Sequence, residues 1–245
     1  MKLIIIGTGN VATSLQAAFA RKHIDVPMVS SRTDLDTIPQ NADVYIYAVR
    51  DNALQEVIEH VHTPQHALHI HTSGTISLDV FGPDKPHHGI LYPFQSFSKA
   101  QPVDDFSDIP LFIQAPHIDD IAALYSLALT LSPHVFETTQ VERQKLHLAG
   151  VFANNFTNYM YQIAYDILRT TSIPFQTLLP LIDRTAAKVH TLTPQQAQTG
   201  PAVRHDQNII QQHLDLLHSA VSDKQSEIRD LYALISSLIQ SPPTP

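Results

Sequence analysis

Leu3-Ile4-Ile5-Ile6-Gly7-Thr8-Gly9-Asn10-Val11-Ala12 is the stretch on which the fold turns. An aliphatic run ends in two glycines, and a helical pattern over Val11–Arg21 starts at once. The chain has only seven glycines, so a pair at this point carries information. The spacing is G-x-G-x-x-A, between a strand and a helix. Gly7 permits the tight turn, and Gly9, having no Cβ, lets a pyrophosphate approach the backbone. Ala12 lets helix and strand pack closely, and the helix start offers unpaired N–H groups with partial positive charge. A glycine turn that merely joins strand to helix could share the first glycine. The agreement of strand, turn, helix and position points instead to a bound dinucleotide, held by Gly7, Thr8, Gly9, Asn10 and Val11.

Outward from that turn, short β-branched runs continue to alternate with helical stretches. The runs are Leu3–Ile6, Val26–Ser30, Val44–Val49, Ala67–His71, Ile90–Tyr92, Leu111–Ala115 and Val135–Thr138, and the helical stretches include Leu54–Val61 and Ile121–Leu131. Strands spaced by helices predict an α/β, doubly wound, mainly parallel sheet with right-handed crossovers. After Thr139 the β-rich runs stop. Helical periodicity then covers Val141–Leu168, Phe175–His190, Gln207–Val221 and Lys224–Ile239. The expected organisation is a dinucleotide domain over 1–139, an all-helical domain over 140–240, and a frayed proline-rich tail over 241–245.

Composition removes several classes. The 245 residues include no Cys, which excludes disulfides and thiolate metal sites. With 23 acidic against 15 basic residues and no basic run, nucleic acid is not the expected partner. No apolar run approaches the ~20 residues of a membrane span, and Met1–Gly7 does not read as a signal peptide. The expectation is a cytoplasmic globular protein. Fifteen histidines invite a metal reading, with His69 and His71 on one strand face, but no ligand spacing with carboxylates supports it, and no metal is expected.

The second strand bears on the cofactor. An NAD site usually places an acidic residue about 20 residues past the glycines, for the ribose 2′-hydroxyl. Here the strand ends in Ser30-Ser31-Arg32-Thr33, with no carboxylate until Asp34. Two hydroxyls and a guanidinium suit a 2′-phosphate, so NADP is expected in preference to NAD. Further strand ends supply Val49 and Asp51, the latter either an N-cap or a cofactor contact, and His71-Thr72-Ser73-Gly74, a small turn suited to lining nicotinamide and substrate. The stretch Tyr92-Pro93-Phe94-Gln95-Ser96 is placed as a loop able to close the pocket.

In the helical half, His147, Asn154, Asn158, Tyr161 and Tyr165 fall within one arc at 100° per residue. Opposite lie Ala149, Phe152, Ala153, Phe156, Met160, Ile163 and Ile167, an expected core face. A polar face nearly without Lys or Glu is suited to hydrogen-bonding a ligand, or equally a neighbouring helix or subunit. Arg204 is a cation for a substrate carboxylate or a buried salt bridge. Asp206 is a cap for the following helix, and His213 falls on that helix's apolar side.

Gly7–Ala12, the His71–Gly74 turn, His147…Asn154-Asn155-Phe156, and Thr199-Gly200-Pro201…Arg204…Asp206…His213 occur together and in order. The pattern resembles the oxidoreductases that pair a Rossmann-like domain with a C-terminal domain of unknown function 2520. Their architecture is similar to that of the 6-phosphogluconate-dehydrogenase-like group. The resemblance implies NADP, a helical domain that often dimerises, and an active site in the cleft between domains. One departure stands out: β-hydroxyacid dehydrogenases place a catalytic Lys four residues before an Asn, where this chain has Gly150 or Val151. The nearest bases are Lys145 and His147. The expected reaction is hydride transfer between nicotinamide and a small carbonyl or imine, with His147, Asn154 and Ser73 catalytic. Asn158 and Arg204 are expected on the substrate and Ser30, Ser31, Arg32, Ser73 and Gly74 on the cofactor. The missing Lys motivates the alternative of a non-catalytic NADP-binding sensor or scaffold; a methyltransferase-like use of the turn fits poorly with the helical second half.

Overall fold

The computed structural model describes residues 1–32, 35, 38–220 and 224–241. These form two compact units, Met1–Asn154 and a second from Asn155 onward. The first unit is built on a seven-stranded sheet: β1 (Leu3–Ile6), β2 (Met28–Val29), β3 (Val44–Tyr47), β4 (Leu68–His71), β5 (His88–Pro93), β6 (Leu111–Gln114) and β7 (Val135–Glu137). Their order is β2-β1-β3-β4-β5-β6-β7. Every neighbouring pair is parallel except β5 and β6, which run antiparallel in register from Ile90↔Gln114 to Pro93↔Leu111. No helix spaces that pair, so nothing carries the chain back over the sheet before β6.

Helices cover both faces, which is why β1, β3 and β4 are buried along their whole length rather than at alternate positions. On one face Leu3, Ile5 and Ile46 meet Leu15 and Phe19 of α1 (Asn10–Arg21) and Leu124 and Leu127 of α3 (Ile118–Leu131). On the other, Ile4, Ile6, Tyr45 and Tyr47 meet Leu54, Val57 and Ile58 of α2 (Asp51–His60). This is the expected doubly wound sheet. The chain leaves β1 for β2 on one side and then returns to β3 on the other, and this reversal opens a crevice at the strands' carboxyl ends.

The first unit extends beyond the change of pattern at Thr139, because α4 (Gln140–Gly150) belongs to it. A capping box starts α4: Thr139 accepts from the Glu142 N–H while the Glu142 carboxylate accepts from the Thr139 N–H. The single long helix expected over Val141–Leu168 is instead α4, a π-helical segment Val151–Phe156, and α5 (Thr157–Leu168). The expected apolar face is only partly covered: Ile163 and Ile167 pack against a core, while its N-terminal part is open. Phe152 is 61% exposed and Phe156 49%, and α5 has no fully buried residue.

The second unit holds α5, α6 (Leu179–Lys188), a short α7 (Pro194–Ala197), α8 (Gln207–Ala220) and α9 (Gln225–Gln240). The pattern read as one helix over Phe175–His190 opens with a 3₁₀ turn at Phe175–Leu178. Leu217 and Ile228 form a small core with Ile163, Ile167 and Tyr232. The Asp206 carboxylate accepts from the Ile209 N–H at 3.3 Å, capping α8 as expected. His213 is exposed rather than in a core, with its ring 2.8 Å from the Tyr232 hydroxyl. The expected positions Thr33, Asp34, Val221 and 242–245 lie outside the described residues. Among the described residues no helix is long and apolar enough to cross a membrane.

Candidate active site

At the reversal point Gly7 has φ of +126°, and a Cβ there would lie 2.2 Å from the Ala48 carbonyl oxygen. Only glycine fits. Its N–H donates to the Val29 carbonyl at 2.7 Å, fastening the end of β1 to the end of β2. Gly9 is the opposite case: a Cβ built on it meets nothing within 4 Å. The backbone there faces open space at the start of α1. No side chain caps that helix, and its first turn carries no acid. The N–H groups of the first turn are thus presented to a region a phosphate could enter. Thr8 and Asn10 are exposed beside it, with the Asn10 side-chain oxygen accepting from the Lys99 N–H at 3.1 Å. Val11 packs partly against the core beneath.

Past β2, the Ser30 hydroxyl accepts from the Arg32 N–H at 3.2 Å, which shapes the turn, and the Arg32 side chain is exposed. Ser31 is half-buried between them. Val49, after β3, packs against the sheet and lies beside Gly7. Asp51 is not the N-cap of α2. Arg50 occupies that position without a side-chain cap, and Asp51 begins the helix proper. Its carboxylate accepts instead from the Thr75 hydroxyl at 2.7 Å, which draws the end of β3 towards the turn after β4.

That turn is held by its own side chains. The Ser73 oxygen accepts from the N–H groups of Thr75 and Ile76, both at 3.1 Å, so its lone pairs serve the local backbone. The Ser73 N–H donates to Nδ1 of His71 at 3.2 Å. His71 is fully buried, and burial, followed by the charge on Arg143, pushes its pKa down to about 3. Its neighbour His69 is held down to about 3 by burial first and then by Lys85 and the adjacent histidines His88 and His87. The His69 ring sits 3.0 Å from both the Tyr47 and Thr63 hydroxyls. Both imidazoles are therefore neutral members of the sheet's packing.

Gly74 brings the site together. A Cβ on it would lie 2.7 Å from Nδ1 of His147, 2.8 Å from Cζ of Tyr92 and 3.0 Å from the Tyr92 hydroxyl. The two side chains fill the space a larger residue would need, and they meet each other at 3.1 Å. The His71–Gly74 turn and His147, drawn from opposite halves of the sequence, are thus adjacent. Tyr92, expected where the Ile90–Tyr92 run passes into a loop, lies within β5, which extends to Pro93 and presents the Tyr92 hydroxyl to α4. Phe94 closes the far side of α4 at Gly150, where a Cβ would lie 2.8 Å from the Phe94 ring. A side chain at Gly150 would have to displace that ring.

Arg143 is the buried residue beside this turn that pattern reading missed. It is completely buried on the first turn of α4. Its guanidinium donates to the Gln114 side-chain oxygen and, at 2.6 Å, to the Ile76 carbonyl. Its Nε is buried without a partner. Gln144 adds a bond to the Thr75 carbonyl at 3.1 Å, so α4 grips the turn through two consecutive side chains. Asn154 is exposed in the π segment, and Asn158 and Arg204 are exposed in the second unit.

Comparison with known proteins sets this geometry in context. A Bacteroides fragilis protein with the provisional description NADP oxidoreductase is 38% identical, with a TM-score of 0.87 over 98% of this chain and 97% of that one. An imine reductase from Myxococcus stipitatus, in complex with NADP⁺, matches at TM-score 0.67 and 14% identity over 98% and 93% of the two chains. A reductive aminase from Aspergillus terreus, bound to NADPH and ethyl levulinate, matches at TM-score 0.67 and 12% identity over 98% and 94%. At such identities the last two share the fold. Among curated proteins none matches. The family model for the domain of unknown function DUF2520 covers residues 109–239, more than half of the chain, and the chain belongs to that family.

Proposed function

We propose that this protein is an NADP-dependent oxidoreductase transferring a hydride between nicotinamide and a small carbonyl or imine compound. The observation that carries the reading is the open backbone at Gly9, set at the sheet's reversal point on an uncapped helix start without a nearby acid. The residues present fit the cofactor. Gly7–Val11 would hold the diphosphate through backbone N–H groups, while Ser30, Ser31 and Arg32 would hold the 2′-phosphate. Val49, Ser73 and Gly74 would line the remainder, and Asp51 would fix the Thr75 side of the turn. When bound, NADPH supplies the hydride.

The chain's own contribution is to orient the substrate and supply a proton. His147, half-exposed and seated against Gly74, is the proton source, because imidazole is the side chain that ordinarily exchanges protons near neutrality. Ser73 shapes the turn that faces the reacting carbon. Asn154, Asn158 and Arg204 are proposed substrate contacts, Arg204 for a carboxylate. We propose also that the second unit mediates a homodimer, since Leu181, Leu234 and Leu238 are each more than half exposed on its helices. Light scattering on purified protein tests this, with a monomeric mass as the refuting result.

The functional test has two stages. Titration calorimetry with NADPH and NADH is expected to show binding, tighter for NADPH, and absence of heat with either would overturn the reading. Incubation with keto acids, semialdehydes and cyclic imines, followed at 340 nm, is then expected to show NADPH oxidation. Binding with no turnover across the panel would favour the non-catalytic sensor.

A further inference from the structure

The site contains a cation that hydride transfer alone does not require. Arg143 is wholly buried, and a buried guanidinium without an acid is costly unless something compensates its charge. Among the described residues no ion pair involves it. Its two hydrogen-bond acceptors, the Gln114 amide and the Ile76 carbonyl, are neutral, and its Nε has no partner. The Tyr92 hydroxyl would favour its charge once ionised. That hydroxyl is packed between the Gly74 backbone and Nδ1 of His147. A phenol whose oxygen lies 3.1 Å from an imidazole and against a missing Cβ, beside a turn that a buried cation holds through the Ile76 carbonyl, is arranged to lose and regain a proton.

We propose that Tyr92 is the immediate proton donor of the reaction, that His147 returns the proton to it, and that Arg143 is a positioning residue whose charge stabilises the transient tyrosinate. The proposal rests on the oxidoreductase reading and specifies the path of its proton. As hydride adds to the carbonyl or imine carbon, the π pair of the C=O or C=N bond moves to the heteroatom. That atom takes the phenolic proton of Tyr92. The tyrosinate oxygen then takes the Nδ1 proton of His147 as Nε2 of the half-exposed ring takes one from water, so the ring stays neutral, and exchange with solvent restores the Nδ1–H tautomer. One hydride from the reduced nicotinamide and one proton from solvent are consumed for each substrate reduced. In the resting state this requires His147 Nδ1–H to donate to the Tyr92 oxygen, leaving the phenol's own proton for the substrate.

The electrostatic surroundings agree. Burial raises the Tyr92 pKa, Arg143 opposes that rise and Asp51 adds to it, so the phenol stays protonated until it is called on. Arg143 is itself pulled down by burial, and Tyr92 counters this.

The test has a readout that needs neither cofactor nor substrate. In protein labelled with [¹³Cζ]tyrosine, Y92F identifies the Tyr92 resonance among the eight tyrosines. Its ionisation is then followed by pH titration. R143M is expected to move the Tyr92 midpoint upward by about one pH unit or more, while R143K leaves it close to wild type. An unchanged midpoint in folded R143M overturns the role of Arg143. Should R143M fail to fold, H147Q and Y92F decide. With a reducible substrate in hand, Y92F is expected to lower kcat about 100-fold or more while the NADPH Kd is unchanged. H147Q is expected to lower kcat about tenfold or more, with the NADPH Kd unchanged, because the tyrosinate then has no Nδ1 proton to take. Y92F turning over at the wild-type rate overturns the proposal and leaves the oxidoreductase reading intact. Loss of NADPH binding by the wild-type protein overturns that reading instead.

Discussion

Acidification from pH 7.5 to pH 5 should destabilise this protein through two imidazoles that the sheet keeps neutral. His69 and His71 are 1% and 0% exposed, and each is held at a pKa of about 3, with burial the leading cause. In the unfolded chain each returns to about 6.5. A folded-state pKa below the unfolded one means that the unfolded chain binds more protons between those values. Stability is therefore complete above about pH 6.5 and declines as pH falls towards 3. At pH 5 the gap is about 1.5 pH units for each ring, or about 2 kcal/mol each and about 4 kcal/mol together. That is a large part of the 5–15 kcal/mol by which domains are ordinarily stable. Carboxylates remain ionised through this range, so the window isolates the histidines. The chain has no Trp, so urea unfolding is best followed by far-UV circular dichroism. Below pH 6 the slope should approach about 1.4 kcal/mol per pH unit for each ring, and H69Q and H71Q should each remove one share. Acid should also loosen the candidate site, because protonating Nδ1 of His71 removes the acceptor for the Ser73 N–H. A stability curve flat from pH 7.5 to 5, or imidazole NMR signals of His69 and His71 titrating near 6.5 in folded protein, would refute the reasoning.

The glycine turn offers a paired test. G7A should destabilise the fold by several kcal/mol, since its Cβ would meet the Ala48 carbonyl at 2.2 Å with φ at +126°. G9V should leave the urea midpoint nearly unchanged, there being nothing within 4 Å of a Cβ, yet weaken NADPH binding measured by calorimetry about tenfold or more. R32A should reduce the preference for NADPH over NADH by roughly 1.5–3 kcal/mol, the range of a hydrogen bond to a charged group; equal loss for both cofactors would exclude Arg32 from the 2′-phosphate. G74A should lower kcat by more than it weakens NADPH binding, because the added methyl displaces His147 and Tyr92. Unchanged turnover would remove that pair from the reaction.

What the sequence made legible was whatever has a local cause. Gly7 needs its conformation because of the turn it sits in, and the aliphatic runs of β1, β3 and β4 are continuous because both faces of those strands are covered. Arg143 is the contrary case. Flanked by Glu142, Gln144 and Lys145, it reads as one more residue of a solvated helix face. Its burial arises from the Ile76 carbonyl and the Gln114 amide, which the topology delivers from elements 67 and 29 positions away. Tyr92 is hidden in the same manner, its partner His147 being 55 residues on. Asp51 shows how a sound local rule can be overridden: an acid near a helix start reads as a cap, but the neighbouring Thr75 hydroxyl claims its carboxylate. The polar stripe from His147 to Tyr165 rests on a geometric assumption. It assumes 100° per residue throughout, and a π segment intervenes at Val151–Phe156. Each residue inserted by a π turn rotates everything beyond it by about 100°. His147 and Asn158 are therefore not required to share a face, and the chemistry assigned to His147 rests on Gly74 and Tyr92, whose contacts lie on the near side of that interruption.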